Sequence, residues 1–245
     1  GVPVFGVTHL FGLFSVFNPS HYKAMTFSPS SICGVSSNRL GGMIRMELPD
    51  TLAEKVNGEI SVGLMSSQGT VGIKTGRKSF LHLSARHSYL NMLYGPWLKV
   101  GDDPIRYSFG DYNLTWHFSP GQNDRIWIDF YTGNDKASMG ADKYNLGLSA
   151  LWGNLVSSLH WEHKGEGHTL DQTLFFSDFF SEVLFEQSPA SMTVNSGIAA
   201  AGYKAKLNWR NFCFGADMTG YRAMPQHPHH LELHVDNHDM EVQYG

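Results

Sequence analysis

From residue 144 onward the chain reads as a row of long segments in which apolar and polar side chains alternate. Tyr203, Ala205, Leu207 and Trp209 alternate with Lys204, Lys206 and Asn208, and the next segment sets Phe212, Phe214, Ala216 and Met218 against Cys213, Gly215, Asp217 and Thr219. Successive side chains of a strand point to opposite faces, so each segment has one greasy face and one wet face. A wall between lipid and water needs this pattern. A soluble sandwich uses it too, with the greasy face turned towards a partner sheet. Length and repetition must separate the two.

About ten strands are expected from Gly58 onward, over roughly 59–65, 69–75, 78–92, 105–119, 124–133, 143–164, 168–182, 196–209, 211–222 and 238–245. The sixth changes phase at Gly153-Asn154, which reads as a hairpin or a bulge. Several exceed the usual ~5–6 residues of a globular strand, and most reach the ~9–11 needed to cross a bilayer obliquely. Connections after even-numbered strands are tight: Gly76-Arg77, Pro120 to Asn123, Gly165-Glu166-Gly167 and Arg210. After most odd-numbered strands they are longer: Leu93 to Pro104, Asn134 to Asp142, Val183 to Asn195 and Ala223 to Asn237. Short turns at one rim and long loops at the other characterise outer-membrane barrels, and this favours a barrel over a sandwich.

Composition agrees. Charged residues make up 16% of the 245 residues, against ~25% in an ordinary soluble domain. Aromatic residues reach 13%, and aromatics gather at membrane interfaces. No apolar run approaches the ~18 residues of a spanning helix, which excludes a helical membrane protein. The net charge of −4, with no basic stripe, gives no reason to expect nucleic acid. The chain opens at Gly1 and stops inside a strand pattern at Gln243-Tyr244-Gly245, so a fragment of a longer protein is expected. Cys33 and Cys213 read as unpaired thiols, with a disulfide between them as the alternative.

Residues 1–57 differ from the rest. Short apolar stretches are broken by Pro3, Pro19, Pro29 and Pro49, with two short strands expected near Tyr22 to Phe27 and Met43 to Leu48. The run from His9 to Asn18, His-Leu-Phe-Gly-Leu-Phe-Ser-Val-Phe-Asn, resembles the late plug region of TonB-dependent outer-membrane receptors of the Bacteroidetes type. Ser79-Phe80-Leu81 with Arg86-His87-Ser88-Tyr89 is similar to that family's third strand, and Asp129 to Asp135 to its strand ending in Gly-Asn-Asp. Trp152-Gly153-Asn154 and Leu159 to His163 resemble a further block. The turn between the two short strands departs from the family pattern, and the Lys-Asp-Ala run of the glycan-importing branch is missing.

The resemblance implies an all-β chain: residues 1–57 as the C-terminal part of a plug domain, and 58–245 as the first part of a transmembrane antiparallel barrel of about 22 strands. It implies TonB-energised uptake of a scarce nutrient of siderophore, haem, cobalamin or oligosaccharide type across the outer membrane. The partners are then the TonB complex, which engages a segment ahead of Gly1, the surrounding lipids and a small ligand. No cofactor and no enzymatic activity are expected. A passive porin or adhesin-like barrel is the alternative function.

Candidate sites are few. His227, His229 and His230, with His234, His238, Asp236 and Asp239, fall in an expected extracellular loop; imidazoles at this density can bind a transition metal or haem iron, although the spacing fits no closed zinc pattern. A solvated loop is the weightier reading, so no metal site is assigned. His160, Glu162 and His163 lack the nucleophile or metal-binding pattern that catalysis needs and are expected on the lumen face. Lys204, Lys206 and Asn208 should face inward as well. Arg39 and Arg45 would pair with wall carboxylates such as Asp129 or Asp217. Trp116, Phe118, Trp152, Trp161 and Trp209 are expected on the lipid face. No catalytic residue is assigned, and the ligand-binding residues are not readable.

Overall fold

The computed structural model describes residues 2–28, 43–49, 52, 54–141, 146–187 and 190–233. Nearly all of this is β-structure: one antiparallel sheet of ten strands and two small hairpins. The N-terminal segment pairs β1 (Thr8–His9) with β2 (Phe14–Ser15) around a 3-10 turn at Leu10–Gly12. A second turn of this kind, Pro19–His21, is started by Asn18, whose side chain accepts from the Ser20 N–H, with proline where its missing donor costs nothing. Strands β3 (Ala24–Ser28) and β4 (Met43–Glu47) form where the two short strands are expected, and they pair with each other.

The large sheet begins with β5 (Val56–Val62), β6 (Ser66–Gly76) and β7 (Ser79–Ser88). A five-residue helix, α1 (Leu90–Tyr94), and the short β8 (Lys99–Val100) lead to β9 (Asp103–Phe118). There follow β10 (Asp124–Ala141), β11 (Leu146–Gly165), β12 (His168–Gln187), β13 (Ala190–Trp209) and β14 (Phe212–Leu233). Each long strand lies beside its predecessor and successor, so the sheet is an up-and-down meander, with β8 attached only to β9. None of the described helices is long and apolar enough to cross a membrane, which says nothing of strands.

Strand lengths depart from expectation in one direction. Much of what reads as long loops at 134–142, 183–195 and 223–237 is strand: β10 continues to Ala141, β12 reaches Gln187, β13 starts at Ala190 and β14 runs to Leu233. Ladder hydrogen bonds join backbone groups whatever the side chains are, so pairing persists where the apolar alternation fades. The asymmetry between rims therefore lies in tall hairpins rather than open loops. At the opposite rim the turns are tight, and Gly167 and Arg210 supply the left-handed conformations that two-residue hairpins require. The sixth expected strand does not fold back at Gly153-Asn154. It is the unbroken β11, and Gly153 lies so close to β10 that a Cβ there would sit 2.5 Å from the Gly133 carbonyl oxygen. The last expected strand, 238–245, lies outside the described residues, as does Cys33, while Cys213 is a free, exposed thiol.

The two faces of the sheet have inverted polarity. Trp116, Phe118, Ile128, Phe130, Leu159, Trp161, Leu174, Phe176, Trp209 and Phe214 all project from one face and are all exposed. The other face is polar, and the N-terminal segment lies on it. Among the described residues, fourteen polar or charged side chains are buried against nine hydrophobic ones. The small apolar cluster of Leu90, Tyr107 and Phe109, with Leu10, Phe14 and Trp152 against it, sits beneath the β1–β2 hairpin. In a water-soluble sandwich the apolar face would be the covered one. Here it is the bare one.

Candidate functional site

The polar face becomes a site where the N-terminal segment meets the wall. Strand alternation sends Arg86 of β7, Asp111 of β9 and Asp135 of β10 to the same side, and register brings Arg86 directly opposite Asp111. His9, at the end of β1, is inserted between the two carboxylates. Its Nδ1 donates to Asp135 Oδ2 at 2.7 Å, and its Nε2 lies 3.4 Å from Asp111 Oδ2. Arg86 donates from Nε to the same Asp111 oxygen at 2.8 Å and from Nη2 to the Ser15 carbonyl at 2.6 Å. Asp135 also accepts from the Tyr107 hydroxyl, which in turn accepts from the Leu10 N–H. Phe109 forms the floor, with the His9 ring stacked on it at 4.7 Å and the Arg86 guanidinium 5.5 Å from its centroid. His9, Arg86, Asp111 and Asp135 are all buried.

Burial alone would drive His9 towards neutrality, but the hydrogen bonds and charges of Asp111 and Asp135 outweigh it and raise its pKa above 6.5. The site therefore favours the protonated form of His9 and sets it, with the Arg86 cation of the wall, on two shared wall carboxylates. Removing one member of such a buried set leaves an uncompensated charge, so the set acts as a clasp on the segment.

A second contact is neutral. His21 donates from Nε2 to the Thr115 hydroxyl at 3.0 Å, and Thr115 donates onward to Asp129 at 2.8 Å. Its ring stacks on that of His82 at 4.7 Å. Burial, and secondarily His82, lowers the His21 pKa to about 3, so it is held uncharged. Weaker ties extend the contact along the sheet: Gln68 to Ser20, and Asn154 to the Gly6 carbonyl, both at 2.9 Å.

Asp129, Ser158 and His160 have the composition of a hydrolase triad but not its geometry. Ser158 Oγ and Asp129 Oδ2 both approach the same nitrogen of His160, Nε2, at 3.0 and 3.4 Å, and Nδ1 is occupied by Thr173 at 2.9 Å. A triad needs the carboxylate on the nitrogen opposite the nucleophile. This arrangement braces three strands instead. No group of three or more metal-ligating side chains occurs among the described residues.

Residues singled out by sequence fall into three groups. Lys204, Lys206 and Asn208 do lie on the polar face, where Lys204 pairs with Asp217 at 3.1 Å. His160 and Glu162 share that face, but His163 is on the other, beside Trp161 and bonded to Asp124 at 2.8 Å; simple alternation separates it from its neighbours. Trp116, Phe118, Trp161 and Trp209 are on the bare face as expected, whereas Trp152 faces inward and packs on Tyr107. Arg39 and the Arg45 side chain lie outside the described residues, so their pairing is not seen; among the described residues an arginine of the sheet, Arg86, bonds the N-terminal segment, and Asp129 and Asp217 are engaged within the sheet. His227, His229 and His230 lie in β14, not in a loop, with His227 opposite Asn195 and His229 opposite Thr193; His234, Asp236, His238 and Asp239 lie outside the described residues.

His9, Arg86, Asp111 and Asp135 were missed as a site. One signal for them was present, since Arg86 and Asp111 are full charges on strands whose partners in alternation are Leu81, Leu83, Leu114 and Trp116. Compared with known proteins, the chain matches no family model, no curated protein and no solved structure.

Proposed function

We propose that the chain forms the end of a plug and the first part of the wall of an outer-membrane β-barrel receptor that imports a scarce nutrient with TonB-supplied energy. The observation that carries this reading is the inverted polarity of the sheet. A bare face rich in Trp, Phe and Leu fits lipid, and a polar face clasping an internal segment fits a plugged lumen. Tight turns at one rim and tall hairpins at the other support the same orientation, with the hairpins outside the cell. Three stretches that resemble the receptor family, around His9, Arg86 and Asp135, converge on the clasp.

In this reading the chain is a carrier, not an enzyme. Ligand binding on the hairpin side and pulling on a segment ahead of Gly1 shift the plug between docked and yielding states; the ligand contributes only its differential affinity for the two states, and TonB supplies the energy of uptake. The clasp sets how hard the plug must be pulled. The test is whether the full-length protein, extracted from membranes in detergent, binds the periplasmic domain of TonB, and whether intact cells that carry it lose uptake on addition of a proton uncoupler. Binding with uncoupler-sensitive uptake is expected. Uptake that survives the uncoupler, with no TonB binding, would replace this reading with a passive porin or adhesin-like barrel.

A further inference from the structure

The bare face is not uniformly apolar. Cross-strand register on β7, β9 and β10 places Leu83, Leu114 and Phe130 in one row and Ala85, Tyr112 and Thr132 in the next. A third row towards the tall hairpins holds His87, Gly110 and Asn134, and beyond it come Lys136 opposite Ser108 and Arg106 opposite Ser138. At two residues per row, Phe130 and Lys136 are about 20 Å apart along the strand. The face therefore changes from apolar to basic within a distance that one lipid can span.

The apolar rows contain a groove of about 550 Å³. Ile60, Val71, Leu114 and Phe130 line it, and Gly69 and Ala85 leave it open because neither fills the space between Ile60 and Tyr112. Ile60 is 83% exposed, a wall with nothing against it. Arg106 and Lys136 are exposed and have no ion-pair partner among the described residues. The nearest carboxylate in register on this face, Glu182, is two strands from Lys136, about 10 Å away.

We propose that the groove and its basic head bind one phosphorylated lipid of the surrounding bilayer. One acyl chain lies between Ile60 and Phe130 over Gly69 and Ala85, and the phosphate is held by Lys136 and Arg106, with His87 below them. This rests on the reading of the bare face as lipid-facing and names one specific occupant of it. The site belongs to the leaflet on the tall-hairpin side, where a cation near the surface attracts anionic headgroups.

The experiment uses the full-length protein reconstituted in phosphatidylcholine nanodiscs. A trace of phosphatidylglycerol, or of phosphatidylcholine, carries a photo-activated diazirine on its acyl chain, and cross-links are mapped by mass spectrometry. Labelling by the anionic probe is expected to concentrate on peptides containing Ile60 to Val71 and Ala85 to Leu114, and to exceed that by the neutral probe. Arg106→Gln and Lys136→Gln should each lower it about fivefold. Gly69→Val should remove it from the groove while the strand stays intact, because a Cβ at Gly69 meets only the Glu59 carbonyl oxygen at 3.7 Å and Ile60 Cγ1 at 3.9 Å. Even labelling around the bare face by both probes, unchanged by these substitutions, would overturn the lipid site and leave the membrane wall standing. A protein that takes no label anywhere on that face would overturn both.

Discussion

The two sides of one sheet carry opposite residue types, each where water would disfavour it. On the bare side Trp, Phe and Leu are exposed and no described segment covers them. On the covered side Arg86, Asp111 and Asp135 are buried, with Asp111 bonded to Arg86 and both carboxylates facing His9. In water the first arrangement is unfavourable, at about 25 cal/mol for each Å² of apolar surface left wet. The second is tolerable only because every charge has a partner. Both make sense when lipid lies on one side and an inserted segment on the other. The strength of each side can be measured separately.

The clasp should show the largest effect. Asp111→Ala leaves Arg86 and His9 buried with one carboxylate between them, and is expected to cost about 3–5 kcal/mol in thermal or denaturant unfolding of the detergent-extracted protein. Replacing Arg86 and Asp111 together with Leu should recover much of the loss, since a buried pair exchanged for apolar groups is often neutral. A single change that costs under 1 kcal/mol would mean that the segment is not held there.

The bare side gives the next effect. Phe130→Arg should destabilise by about 2–4 kcal/mol when the protein is unfolded from a bilayer, the penalty for a charge facing lipid at depth. At a water-facing position an exposed Phe→Arg is worth no more than about 0.5 kcal/mol either way. The size of this one number separates the lipid wall from a wet surface.

How far the sequence disclosed this depends on which physical signal each part leaves. The strands of the sheet were legible because period-two alternation is written directly in segments such as 203–209 and 212–219. The faces of Lys204 and Trp116 followed from it. The mistaken placements of His163 and Trp152 came from assigning clusters to a face as groups, where parity along β11 splits them. The hairpin extensions were illegible because backbone pairing needs no apolar pattern. The clasp was illegible as a unit because His9, Arg86, Asp111 and Asp135 are joined by register and by the path of the N-terminal segment, with His9 and Asp135 separated by 126 positions. Register between distant strands is fixed by pairing along the whole sheet, which no local window contains.

The two histidines of the inserted segment give a smaller and opposite pair of pH effects. His9 has a raised pKa, so its contribution is complete below 6.5 and is lost as pH rises through the raised value. His21 is held neutral down to about 3, whereas the released segment takes up a proton near 6.5; docking therefore weakens as pH falls from 6.5 towards 3. Docking, followed by protection of the segment from protease, should be strongest near pH 6.5, where the His21 loss has not begun and the His9 contribution is still nearly complete. His9→Gln should cost about 1.5–3 kcal/mol, the value of a charged hydrogen bond, and abolish the alkaline limb while sparing the acid one. If the substitution flattens both limbs, the two histidines do not act separately.

The smallest effect is expected at Lys204 and Asp217, which lie on the same polar face but further along it, on β13 and β14. They pair at 3.1 Å with side chains 30% and 53% exposed, unlike Asp111, which is fully buried. Water and salt screen such a pair, so Lys204→Ala should cost at most about 1 kcal/mol and less at high ionic strength. This pair is a single contact at 3.1 Å, where the clasp has several at 2.7–2.8 Å, and no described segment covers it. A loss at Lys204 as large as that at Asp111, and insensitive to salt, would show that in the full-length protein this part of the polar face is covered too, and that the clasp is one of several points where the interior is held.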